Sequence, residues 1–110
     1  MDELQQAIQK FSNPSNLEYF SKLLEDTNAC MAKHAGDPTF DTDLCEPSIV
    51  SESNYYTFHT HPHDKPTPSG LDIQTSERLG KKLLCIGLPN EKKIICYDTS
   101  GQTVVGEWDL

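Results

Sequence analysis

At 110 residues the chain fits a single domain, residues 1–110, and is too short for a barrel enzyme of about 250 residues. Hydrophobic residues make up 35% and charged ones 24%, enough for a small packed core and too much for wholesale disorder. With 17 acidic against 9 basic side chains the formal charge is -8, the wrong sign for holding nucleic acid or an anionic membrane surface.

From the N-terminus, Leu4, Ala7, Ile8 and Phe11 recur at spacings of three and four, which predicts an amphipathic helix over 2–11 with acids in its first turn. Asn13-Pro14-Ser15-Asn16 breaks it. Leu17, Tyr19, Phe20, Leu23 and Leu24 predict a second helix over 15–25, and Ala29-Cys30-Met31-Ala32 then reads as a short buried strand. His34 to Pro38 is a turn. Between Thr39 and Asn54 only Pro47-Ser48-Ile49-Val50 hints at structure, as an edge strand. Tyr55-Tyr56-Thr57-Phe58-His59 is aromatic and β-favouring and predicts a strand that delivers His59 and His61 to its C-terminal end.

The three prolines between Pro62 and Pro68 impose an irregular loop, and Ser69-Gly70-Leu71-Asp72 opens a helix over 69–80 that Gly80 closes. Leu83–Leu88, Lys93–Asp98 and Gln102–Trp108 follow as a three-stranded meander. The expected fold is one α/β domain. A curved mixed sheet carries helices 2–11 and 15–25 on one side and helix 69–80 on the other.

The opening Met1-Asp2-Glu3 is acidic where an export signal is basic, and the longest apolar stretch, Leu83–Leu88, is too short to span a membrane. A cytoplasmic setting is expected. Cys30, Cys45, Cys85 and Cys96 form no CxxC pair, which favours reduced thiols there. A hairpin of the first two meander strands would set Cys85 directly opposite Cys96; buried free thiols are preferred over a bridge at that place. Spacings without paired knuckles also argue against a four-cysteine zinc site.

The chemistry concentrates in His59-Thr60-His61-Pro62, six residues, then Ser69-Gly70-Leu71-Asp72. Side chains two apart on an extended strand share a face, so His59 and His61 present two imidazoles to one point. A helix beginning after the loop can return Asp72 as a third, oxygen ligand. Two nitrogens and one carboxylate favour zinc over magnesium or calcium, with iron and manganese also compatible on ligand type, and three ligands leave one position open. The plainer alternative is that Ser69 and Asp72 form only a helix-capping box.

This order and spacing resembles the HxHP, SxxD signature of the JAMM (MPN+) zinc metalloproteases, which hydrolyse isopeptide and peptide bonds next to ubiquitin-like proteins. The similarity covers about Tyr55 to Val105 and follows the layout of small prokaryotic-type members. The resemblance implies an MPN-like α-β-α fold, one Zn2+ per chain held by His59, His61 and Asp72, and Ser69 hydrogen-bonding the zinc water or the tetrahedral oxyanion. It also implies a general-base glutamate that follows a helix and precedes these motifs. Glu25 takes that place, with Asp26 and Glu46 as alternatives and Glu52 set too near His59 along the strand. The implied partner is a ubiquitin-like protein or its conjugate.

His59 to His63 also reads HxHxH, but Pro62, Asp64 and Lys65 are not the apolar residues of histidine-triad nucleotide hydrolases. Metallo-β-lactamase and deaminase patterns fail on the order of His63-Asp64 and on the missing PCxxC. His63 reads as a solvated loop residue and Trp108 as a core plug. The second function class is an inert MPN-type scaffold or protein-binding module.

Overall fold

A computed structural model describes residues 2–45, 50–52, 55–63 and 65–110. Helix α1 spans Glu3–Phe11; Asp2 caps it by accepting the Gln5 N–H, with Glu3 in the first turn and Lys10 in the last. The predicted break at Asn13 is also a start. Asn13 accepts the Asn16 N–H at 2.9 Å and Pro14 opens helix α2, Pro14–Lys33.

Helix α2 runs through Ala29–Ala32, where a strand was expected. Alanines are the strongest helix formers, and the poorer formers beside them are held by contacts invisible in a local pattern. Thr27 is 1% exposed and donates its hydroxyl to the Leu23 carbonyl, while the Asn28 amide donates to Pro89 O at 2.9 Å. Gly36, at φ 83, lies in the turn beyond the helix end. After a 3-10 turn at Thr42–Cys45 the sheet begins.

Strands β1 (Val50–Glu52), β2 (Tyr56–Thr60), β3 (Leu83–Leu88), β4 (Lys93–Tyr97) and β5 (Val104–Asp109) lie in that order in one sheet. The edge strand β1 shares only Val50 with the expected Pro47–Val50, of which Pro47 to Ile49, like Glu46, lie outside the described residues. Of these pairs β2 and β3 are parallel, joined through helix α3, Gly70–Arg78, and the others are antiparallel, with β3, β4 and β5 forming the predicted meander.

Alternation along the strands divides the core in two. Tyr56, Phe58, Leu83, Cys85, Ile94 and Cys96 pack with Phe11 of α1 and with Phe20 and Leu24 of α2. Leu84, Ile86, Leu88, Ile95 and Tyr97 pack on the other face, where Ile73 of α3 joins them. Two helices on one face and one on the other match the expected layering, and β3 is buried along its whole length because both faces are covered. Trp108 is half-buried against the first cluster, its ring 5.4 Å from that of Phe11.

The cysteines depart from expectation. Cys30 is bridged to Cys45 and Cys85 to Cys96. The register sets Cys85 directly opposite Cys96, with Cα atoms 4.0 Å apart, and the extra length of α2 carries Cys30 to within 5.6 Å of Cys45. With all four paired, the thiol argument for a cytosolic setting has no basis. Among the described residues no helix is long and apolar enough to cross a membrane.

Candidate metal centre

Phe58 points into the α1–α2 side of the core, so the next residue, His59, emerges on the α3 side beside Ile86, its partner in the parallel register. His61 lies just past the strand end. Its N–H donates to Gly87 O at 2.9 Å, which extends the ladder and keeps its ring on the face His59 occupies. Asp72 enters from the first turn of α3.

The three side chains converge, as the sequence predicted. Nε2 of His59 is 2.9 Å from Nε2 of His61 and 3.0 Å from Oδ1 of Asp72, and Nε2 of His61 is 3.2 Å from Oδ2. Four-coordinate zinc with bonds of about 2.0–2.1 Å separates its donors by roughly 3.3 Å, so the group has the dimensions of a tetrahedral face. The side chains are 4%, 14% and 13% exposed, buried enough that charges among them need partners.

The ring of His61 is oriented by a carbonyl. Its Nδ1 lies 2.7 Å from Lys65 O, which can only accept, so Nδ1 carries the proton. Nε2 of the neutral ring then aims a lone pair at the Asp72 carboxylate. Two such electron-rich atoms at 3.2 Å repel unless a proton or a metal cation lies between them. Burial raises the Asp72 carboxyl; in the metal-free group, protons on the facing His59 and His61 nitrogens, with the Ser69 N–H and a charged His59, outweigh it and hold the carboxyl well below the ordinary carboxylate range. Asp72 is therefore the anionic member of the group.

Ser69 is the N-cap of α3. Its Oγ accepts the Asp72 N–H at 3.1 Å, and Oδ2 of Asp72 accepts the Ser69 N–H at 2.8 Å, a reciprocal capping box. The capping box, weighed against ligation in the sequence, leaves the Asp72 carboxylate still facing both imidazoles. The hydroxyl proton of Ser69 stays available to a further acceptor.

The structure does not bring Glu25 to this group. Glu25 and Asp26 are exposed on α2, whose Leu24 packs against the opposite face of the sheet, and Glu25 is surrounded by Ser21, Asn28, Pro89, Lys92 and Leu110. Glu46 lies outside the described residues, and Glu52 is paired with Tyr56 in β1. Among the described residues the metal-capable group is His59, His61 and Asp72 alone. His63 is exposed, as expected, with Nε2 2.7 Å from the Thr42 hydroxyl, and His34 stacks on Phe40 at 3.6 Å.

Two supports carry no local sequence signal: the Lys65 carbonyl behind His61, and the Tyr97 hydroxyl, which donates to Pro66 O at 2.5 Å and pins the proline loop. Burial, then the charge of Glu107, raises the Tyr97 phenol above its ordinary value and keeps it a donor. Compared with family models, curated proteins and solved structures, the chain matches none.

Proposed function

We propose that the chain is a zinc-dependent hydrolase of the JAMM type, acting on the peptide or isopeptide bond that follows a ubiquitin-like tail. One observation carries the metal part of this reading: two imidazole nitrogens and a carboxylate, drawn from a strand end and a helix start, meet at ligand spacing. The peptide-bond part rests on the resemblance of His59 to Asp72 to the JAMM signature, and the MPN-like identity of the fold rests on the same ground.

When bound, zinc supplies a water acidic enough to act as a nucleophile near pH 7 and an electrophile for the scissile carbonyl. His59 and His61 supply neutral nitrogen donors, the second fixed in its tautomer by Lys65 O. Asp72 supplies the balancing negative charge and stays ionised. Ser69 directs its hydroxyl proton toward an oxygen that gains charge beside Asp72. The resemblance nominates Glu25 as the proton-accepting glutamate, a role that its position on the opposite face of the sheet does not support.

A second reading has its own support, since Glu25 and Asp26 lie across the sheet from His59. A protein of this kind would hold the metal as part of a binding module without turnover. Metal-washed protein reloaded with Zn2+ is expected to retain near one ion per chain, and His59→Ala near none; equal zinc in both would refute the metal site. Hydrolysis of an isopeptide-linked ubiquitin-like conjugate by the loaded protein, lost in His61→Ala, separates the enzyme from the module.

A further inference from the structure

We infer that the Cys30–Cys45 bridge and the Thr42–His63 hydrogen bond form a brace that positions His61, and so place the metal hold of this chain under thiol–disulfide control; the inference rests on the metal reading above. Cys30 belongs to the last turns of α2, a helix locked to the sheet by Phe20 and Leu24. Its bridge reaches Cys45, the final residue of the 3-10 turn that begins at Thr42. From the other end of that turn the Thr42 hydroxyl meets Nε2 of His63 at 2.7 Å, two residues beyond His61. The bridge and this bond thus connect the rigid helix to the loop that supplies both His61 and its orienting carbonyl at Lys65.

Leu44 is 72% exposed, and Cys45, at 8%, is buried through its bridge to α2. The stack of His34 on Phe40 anchors the segment before the turn starts. The two disulfides also differ in access: Cys85 and Cys96 are 0% exposed in the core, whereas Cys30 is half-buried at the surface. A thiol reductant meets Cys30–Cys45 first.

The step balances with a dithiol as reductant. One thiolate attacks a bridge sulfur and releases the other cysteine, which takes a proton; the second thiol displaces the protein sulfur from the mixed disulfide. Cys30 and Cys45 gain two electrons and two protons, and the dithiol becomes a cyclic disulfide. The 3-10 turn is then untied from α2, and Thr42 no longer fixes His63.

The test is Zn2+ affinity, measured by competition with a chelating indicator on the full chain, with folding checked by circular dichroism. Loss of a support behind a metal ligand weakens binding by about 10–100-fold. Thr42→Val and Cys30→Ser/Cys45→Ser are each expected to raise the Kd about tenfold, Thr42→Ser to restore it, and the combination of valine and serines to add nothing further, since the two links act in series. Dithiol-treated, desalted wild-type protein is expected to match the serine variant. Unchanged affinity in folded Thr42→Val or in the serine pair overturns the brace while leaving the metal site intact. Absence of zinc from the oxidised wild type overturns the metal reading itself and the brace with it.

Discussion

Ser69→Ala separates the two roles that meet on Asp72. The substitution removes the Oγ that accepts the Asp72 N–H at 3.1 Å but leaves the Ser69 N–H, which donates to Oδ2 at 2.8 Å, in place. Half of the capping box survives, so the loss falls near the middle of the usual range for an N-cap, about 1 kcal/mol. In a domain near this size that lowers the melting temperature by about 4–8 °C. The three ligands are untouched, and the position of Asp72 is still set by the backbone bond and by both imidazoles. Thermal unfolding of the metal-free protein followed by circular dichroism, beside a zinc titration of the same sample, reads both quantities. The expected result is a lower melting temperature with zinc still near one ion per chain. An unchanged melting temperature combined with lost zinc would show that the hydroxyl serves the metal and not the helix, and the capping argument would fail.

Glu25→Gln is expected to keep both zinc stoichiometry and stability, within about 0.5 kcal/mol, because the carboxylate is exposed on α2; zinc analysis and thermal melting check this, and lost zinc would contradict the placement. In Gly87→Ala the new Cβ would sit 2.9 Å from Cζ of Phe58 and press on the Leu24 side chain, so urea unfolding should show a loss of about 1–3 kcal/mol. Tyr97→Phe removes the donor to Pro66 O, which should lower stability by about 1 kcal/mol in the same assay and weaken zinc binding by loosening the loop that holds Lys65 O behind His61.

The parts of this protein legible in its sequence are those whose pattern is local. Leu4, Ala7, Ile8 and Phe11 mark a face of α1, the aromatic run marks β2, and the Cys85–Cys96 register follows from counting across one turn. The shared face of His59 and His61 follows from strand geometry alone, and Asp72 from the first turn of a helix. What escaped depends on partners distant in sequence. Asn28 is kept helical by Pro89, so α2 extends past the point where its apolar period fades. The Cys30–Cys45 bridge was hidden by the same misjudged helix end. Glu25, read as standing before a strand, stands mid-helix on the far face of the sheet. The Tyr97 and Lys65 supports are contacts of a hydroxyl and a carbonyl with residues that any periodicity ignores.

All three donors lie within the single strand, loop and helix between His59 and Asp72, although the sheet they serve gathers strands from Val50 to Asp109. Chelation therefore demands the closure of only one short loop, whose entropy is small compared with that of assembling the sheet. On the proposed zinc reading, an unfolded chain would keep part of its affinity for the ion, and the thermal stabilisation on adding zinc would fall below the value for a ligand that sees the native state alone.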